Sequence, residues 1–370
     1  MPIIRVAVPV PKRQFFEYQH SSALEPGIRV RVPFGPRKLI GVVLETTKES
    51  QWQSDKLKAI LDVLDETSIF SSVQLKLCQW LSQYYQHPIG DVLHSAMPVS
   101  LRKGGSSQPK PVSFLRTTDE GQQIPSENLG KARKQQQLLA QLQQGEASYS
   151  SILAQYASTT VKALVQKELI EQVERIPSLD TDWLAHLNIG EKPLPNVEQA
   201  IAISQITAKI GEYASFLIEG VTGSGKTEVY LQAIESVLTQ GKQVLILVPE
   251  IGLTPQTVER FAKRFNVLVG ILHSNLTDNE RLLVWQQSQA GQLPIIIGTR
   301  SAIFTPMKNP GMLIVDEEHD SSYKQQDGLR YHARDLAVMR AAQEKIPLIL
   351  GSATPALESL NNALNGKYQH

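Results

Sequence analysis

The feature that most constrains this chain is the octapeptide Gly220-Val221-Thr222-Gly223-Ser224-Gly225-Lys226-Thr227, set between an apolar run and a helix-forming stretch. Its glycines let consecutive backbone N–H groups curl around phosphate oxygens, and the following helix aims its positive dipole end at the same point. Lys226 would reach the terminal phosphates, and the Thr227 hydroxyl would hold a magnesium ion. Such a loop sits at the carboxyl end of a parallel strand, so the surrounding chain must supply a sheet covered by helices. From Gln199 onward it does. Short apolar runs at Ser215–Ile218, Val244–Val248, Val267–Leu272, Ile295–Ile297, Leu313–Val315 and Leu348–Leu350 alternate with helical stretches.

Two further motifs follow such runs. Asp316-Glu317-Glu318-His319 lies about ninety residues downstream of the glycine loop, directly after Leu313–Val315. Asp316 would hold the magnesium ion and Glu317 would orient and activate an attacking water, with ATP as the nucleotide. His319 would bridge the nucleotide site to DNA-binding elements. Ser352-Ala353-Thr354 follows Leu348–Leu350. There the hydroxyls of Ser352 and Thr354 would hydrogen-bond the acidic cluster and sense the nucleotide state.

The first two hundred residues read differently. Runs at Arg5–Val10, Arg29–Val32 and Ile40–Leu44, punctuated by Pro and Gly, predict short strands, and Val73 to Tyr84 carries helical spacing. A small β-barrel or half-open sheet with an attached helix is expected over 1–105. Residues 106–130 lose periodicity and read as a linker. Gln135–Gln143, Tyr149–Tyr156 and Thr159–Glu168 predict three short helices before a strand at Leu169–Arg175. Over 131–176 this is a winged-helix pattern, with Thr160–Lys167 as recognition helix, or a plain packing bundle. A second linker spans 177–195, before an α/β lobe with a parallel sheet over 196–370.

Bulk properties exclude several classes. One cysteine, Cys78, permits neither an internal disulfide nor a thiolate zinc site, and reads as a small buried apolar residue. No stretch approaches the ~18 consecutive apolar residues of a membrane helix, and the N-terminus lacks the pattern of a secretory signal. A cytoplasmic chain without a membrane partner is expected. Net charge is only +1, but residues 1–105 hold 13 basic against 9 acidic side chains, a weak surplus that suits phosphate contact.

The glycine loop, the D-E-E-H cluster and the S-A-T run, in that order, resemble the first lobe of a superfamily 2 helicase. Val248–Gln256 and Gly298–Phe304 resemble that superfamily's DNA-backbone motifs, implying phosphate contacts from Thr254, Gln256, Thr299, Arg300 and Ser301. Gln199 lies where such helicases place an adenine-contacting glutamine. A narrower likeness comes from Gly220–Tyr230, Val248–Gln256, Asp316–Gln326 and Arg330–Ala337, joined by Val6–Pro11, Phe16–Tyr18, Arg29–Gly35 and Tyr84–Asp91. These segments resemble the PriA family of replication-restart helicases over nearly the whole chain.

That resemblance implies an enzyme that recognises stalled or collapsed forks, unwinds DNA 3′ to 5′ with ATP and Mg²⁺, and nucleates the restart primosome. Its partners would be branched and single-stranded DNA, primosome proteins and single-stranded DNA-binding protein. Phe16, Glu17 and Lys58 would form a pocket for the 3′ end of a nascent strand. Ser321–Arg334 resembles the family's aromatic-rich loop, with Tyr323, Lys324, Tyr331, His332 and Arg334 suited to stacking and phosphate contact, although Leu329 stands where a tryptophan is expected. The second lobe, its arginine motif and the family's zinc-binding cysteines would lie beyond residue 370. The chain is therefore expected to bind DNA and nucleotide, turn over ATP poorly and unwind nothing. The alternative is a non-catalytic fork-binding scaffold module.

Overall fold

The computed structural model describes residues 1–50, 57–108, 111–125, 129, 132–175, 183–221 and 223–370. Residues Met1–Ser107 and Asp180–His370 form one unit, and Gln108–Leu179 a second.

In the first unit, β1 (Ile3–Ala7), β2 (Phe16–Gln19), β3 (Arg29–Phe34), β4 (Arg37–Thr47) and β5 (Asp62–Val63) form a five-stranded sheet of order β2-β1-β4-β3-β5. The pairings are antiparallel. Apolar residues at alternate positions, Ile4 and Val6, Val30 and Val32, pack one face into a core. The run leading into β5 also bonds the opposite edge, since Gln19 N–H donates to the Lys58 carbonyl (2.9 Å) and Ile60 N–H to that of Gln19 (3.0 Å). The expected strands at Arg5, Arg29 and Ile40 are present with shifted ends. Strands β2 and β5 are additional; four and two residues are too short to show a period.

Helices α1 (Ser72–Tyr84), α2 (Ile89–Ser95) and α3 (Val99–Arg102) follow. A reciprocal Ser71–Gln74 cap starts α1. Cys78 on α1 is buried, which pushes its thiol up to about 12. A buried guanidinium ties the sheet to the helices. Arg29, fully buried, donates Nε to Asp65 Oδ2 (2.9 Å), Nη2 to Asp65 Oδ1 (2.6 Å) and Nη1 to the Leu101 carbonyl (2.6 Å). Its own N–H and the Ser107 hydroxyl complete the shell around Asp65.

The second unit differs from its expected layout. Strand β6 (Val112–Thr117) and helix α4 (Asp119–Gln123) occupy the stretch read as linker 106–130. Strand β6 is central to a three-stranded antiparallel sheet with β7 (Ala147–Ser148) and β8 (Ile170–Arg175). Helices α5 (Arg133–Gln143), α6 (Tyr149–Gln155) and α7 (Ser158–Gln166) fall within a few residues of their expected places. Leu115, Leu138, Leu142, Ile152, Val161 and Leu164 form the core between them.

The rest of the first unit is an α/β lobe. Helix α8 (Val197–Thr207) precedes β9 (Ala214–Glu219), α9 (Lys226–Leu238), β10 (Gln243–Leu247), α10 (Pro255–Phe265), β11 (Val269–Leu272) and α11 (Asp278–Ala290). Then come β12 (Ile295–Gly298), β13 (Pro310–Val315), α12 (Ala333–Glu344), β14 (Pro347–Ser352) and α13 (Leu357–Leu364). The six strands form a parallel sheet of order β11-β12-β10-β13-β14-β9. All six expected apolar runs are strands, because a strand covered on both faces must be apolar throughout. Residues 183–195, within the expected second linker, are tied down: the Trp183 indole donates to the Gly291 carbonyl (3.0 Å), and Arg264 Nη1 to that of Glu191 (2.6 Å).

Replacing Asp65 by Ala leaves the Arg29 guanidinium buried and unpaired, and is expected to cost about 3–5 kcal/mol, read by urea unfolding.

Candidate nucleotide and DNA site

The loop Gly220–Gly225 leaves the end of β9, and Gly223 and Gly225 adopt φ of +85° and +90°, which other residues reach only with strain. Thr222 lies outside the described residues. Gly225 is also the N-cap of α9, so Lys226 and Thr227 open that helix. Lys226 is buried and donates Nζ to the Gly220 carbonyl (2.6 Å), which holds the side chain folded over the loop. Its Nζ lies 3.8 Å from Glu317 Oε1. Gly223, Gly225, Lys226, Thr227, Asp316 and Glu317 line one cleft of about 820 Å³. The glycine loop and the acidic cluster thus face the same space, separated in the sheet by β14 alone.

The acidic turn is held from several sides. Tyr230, one turn beyond Lys226 on α9, donates its hydroxyl to Asp316 Oδ1 (3.1 Å), and the Tyr323 hydroxyl donates to the Asp316 carbonyl (2.6 Å). Burial raises the Asp316 pKa, and the neighbouring Glu317 charge raises it further. Magnesium would reverse that penalty by supplying positive charge. Glu317 has φ of +46°, an uncommon conformation for a non-glycine residue and a strain of order 1 kcal/mol. His319 Nδ1 shares a hydrogen bond with Ser352 Oγ (2.7 Å), and Thr354 N–H donates to the same oxygen (3.0 Å). The acidic turn and the S-A-T run therefore meet through His319.

Glu318 departs from the sequence reading. It is fully buried and points away from the cleft, accepting from Arg334 Nη1 (3.0 Å), Ala356 N–H (2.7 Å) and the Ser359 hydroxyl (2.8 Å). Arg334 is accordingly committed to this pair and buried, so it does not present its guanidinium to a phosphate. Tyr323 and Tyr331 are also corrected: both rings are buried, Tyr331 edge-on to Phe304 at 5.2 Å, and neither offers a face for base stacking. Leu329 is buried with them. Arg300 donates Nη1 to the carbonyls of Ser322 (2.9 Å) and Lys324 (3.1 Å), clamping the turn after the acidic cluster.

The remaining candidates divide by exposure. Thr254 caps α10, accepting from Thr257 N–H at 3.2 Å, with Gln256 and Ser301 exposed beyond it and Thr299 buried. Lys324 Nζ donates to the Arg330 carbonyl (2.9 Å) and lies over the Tyr85 ring at 5.3 Å. His332 caps α12, its own N–H donating to the Tyr85 hydroxyl (3.1 Å). Gln199 caps α8 through Asn196 and donates Nε2 to the Ser224 carbonyl (3.0 Å), so it rests on the glycine loop. Phe16 packs edge-on to Phe34, Glu17 accepts from Arg5 Nε (3.2 Å) and Ser50 (2.6 Å), and Lys58 is exposed on the run bonded to β2.

Sequence reasoning missed several participants. Arg260, Lys263 and Arg264 on α10 form a basic wall of the cleft, and Arg264 Nη2 donates to Glu228 (2.7 Å) beside Thr227. Helical spacing of Arg260 and Arg264 hinted at a shared face, but only the fold shows what they face. Among the described residues no group of three or more His, Cys, Asp or Glu side chains could hold a metal ion by itself. None of the helices there is long and apolar enough to cross a membrane.

Fold and site together define a P-loop helicase lobe preceded by an antiparallel β domain. The family model for DEAD/DEAH box helicases matches residues 196–363, and that for the PriA 3′DNA-binding domain matches residues 5–98. The chain is 46% identical to the replication restart protein PriA of Haemophilus influenzae, with 100% of this chain and 51% of that protein aligned. Against PriA of Bacillus subtilis the identity is 33%, covering 94% and 51%. The chain is thus similar to PriA proteins over nearly its whole length, and it spans about half the length of these relatives. Among solved structures, RecG bound to a three-way DNA junction aligns at 24% identity and a TM-score of 0.36, over 50% of this chain and 26% of that one. The Pyrococcus furiosus Hef helicase domain aligns at 22% identity and a TM-score of 0.35, over 48% and 37%.

A Cβ on Gly351, at the end of β14, would overlap the Tyr230 hydroxyl that reaches Asp316. Gly351→Ala is expected to destabilise the chain by about 1–3 kcal/mol in urea unfolding, and to weaken nucleotide binding as Tyr230 is displaced.

Proposed function

We propose that this chain is the DNA-gripping and nucleotide-binding front half of an ATP-driven 3′-to-5′ DNA helicase that recognises stalled or collapsed replication forks and starts primosome assembly. The observation that carries the reading is the shared cleft, in which Lys226 and Thr227 of the glycine loop face Asp316 and Glu317. The donor set suits ATP with Mg²⁺: backbone amides and an ammonium group for phosphates, a hydroxyl and a carboxylate for a hard cation. Bound there, the cation would neutralise phosphate charge, while Glu317 is placed to orient water and the Ser352–His319 bond to report the state of the acidic turn.

The β domain is read as the element that takes a nascent 3′ end. Phe16 and Glu17 lie on adjacent positions of β2, and Lys58 on the run hydrogen-bonded to that strand. A terminal hydroxyl would exchange with Ser50 on the Glu17 carboxylate. The bonds joining the run before β5 to β2 favour a closed barrel. In the second unit, three helices followed by β8 favour a winged helix with α7 as its recognition helix. Exposed Thr254, Gln256 and Ser301 are backbone-contact candidates within reach of a passing DNA strand. Primosome proteins and single-stranded DNA-binding protein enter as partners through the family likeness, as does a cytoplasmic location.

Lys226→Ala tests the assignment. Nucleotide affinity, measured by calorimetry, is expected to fall by at least about a hundredfold, the loss of roughly 3 kcal/mol of charge-assisted contact. Affinity for a forked DNA, measured by anisotropy, should stay within about twofold. Collapse of both together would contradict separate nucleotide and DNA elements.

A further inference from the structure

A small cavity lies where the α2–α3 turn meets the lobe, and its lining includes Arg102, Arg281, Trp285, Ser301 and Thr305. Two guanidinium groups share it. Arg102 uses Nε and Nη2 on the carbonyls of Met97 (2.8 Å) and Ser95 (3.1 Å), and Arg281 uses Nη2 on that of His273 (2.8 Å). Among the described residues neither meets a carboxylate within 4.0 Å, so neither has a direct ion-pair partner. The nearest acidic influence on Arg102 is Asp278, whose carboxylate already holds Lys103 at 3.4 Å. Burial lowers the Arg102 pKa, and the Arg281 charge lowers it further.

Two like charges in a half-buried cavity oppose each other and await an anion. Trp285 is buried in the cavity wall, and its indole N–H is a donor with no acceptor among the described residues. Ser301 stands exposed at the edge of the cavity. The cavity measures about 60 Å³, enough for a single tetrahedral oxyanion and too small for a base or a sugar. Guanidinium groups match phosphate oxygens in fork geometry, which an ammonium does not.

We propose that this cavity is a phosphate subsite for a DNA strand, in which Arg102 of the N-terminal region and Arg281 of the lobe grip one backbone phosphate beside the Ser301 hydroxyl. The site rests on the front-half reading above and extends it. The strand passing Ser301 is held by residues from both sides of the junction at once, so DNA itself locks the β domain region to the motor lobe. Because the contact is to phosphate, it adds affinity without sequence preference.

The test is binding of a fluorescent oligothymidylate to this chain by anisotropy, from about 50 to 200 mM salt, for the unsubstituted protein, Arg281→Gln and Arg281→Lys. Arg281→Gln should weaken binding about tenfold at low salt and make the slope of log K against log salt shallower by about 0.7. Arg281→Lys should keep the slope while recovering only part of the affinity, a pattern that loss of structure alone does not produce. Unchanged affinity and slope in a folded Arg281→Gln protein would overturn the site while leaving the front-half reading intact. No binding by the unsubstituted chain would overturn both. Inorganic phosphate supplies the second arm. If it raises the melting temperature of the unsubstituted chain but not of Arg281→Gln, while both bind DNA equally, the cavity is a free-anion site and the DNA assignment fails.

Discussion

One juxtaposition organises this chain: a lysine ammonium held 3.8 Å from a glutamate across the mouth of a parallel sheet. Neither group is at rest there on its own. Lys226 is buried and leans on a carbonyl, Asp316 carries a raised pKa, and Glu317 occupies a backbone conformation that glycine would adopt more readily. Only β14 separates the strands bearing the two clusters, and Gly351 on β14 leaves room for Tyr230 to cross between them. An array of like and unlike charges in half-buried space is stable when a ligand completes it. Triphosphate oxygens and a divalent cation are the chemistry that would do so.

From the acidic turn, connections run outward through side chains that sequence reading assigned elsewhere. Glu318 is an internal strut, joining Arg334 at the start of α12 to the residues that open α13. Arg300 and Tyr323 brace the turn that follows. Tyr85 at the end of α1 meets both His332 and Lys324, so the segment 321–334 touches the N-terminal region on one side and Asp316 on the other. Aromatic residues in this segment act by packing, not by display.

What could be read from residues alone follows a physical rule. The glycine loop was legible because its chemistry demands particular residues at fixed spacing, and the six lobe strands because burial on both faces leaves an uninterrupted apolar signature. The N-terminal strands were legible where apolar residues alternated, at Arg5 and Arg29, or formed a β-branched run, at Ile40, and invisible at β2 and β5. Strand β6 was hidden by flanking Gly, Ser, Gln and Pro, and by having its partners, β7 and β8, more than thirty residues downstream. Burial of Tyr323, Tyr331 and Arg334 is a tertiary fact: an aromatic or arginine in a polar loop has the same local pattern whether it faces a base or a neighbouring helix. The Tyr230–Gly351–Asp316 contact and the basic wall of α10 likewise required the sheet order before they had any meaning.

Calorimetric titration of ATP into this chain, with and without Mg²⁺ and with Asp316→Asn beside the unsubstituted protein, tests the shared cleft most directly. Binding is expected to be tight and Mg²⁺-dependent in the unsubstituted protein, and to lose that dependence in Asp316→Asn. Equal affinity with and without the cation, or an Asp316→Asn protein that responds to Mg²⁺ as the unsubstituted one does, would contradict it.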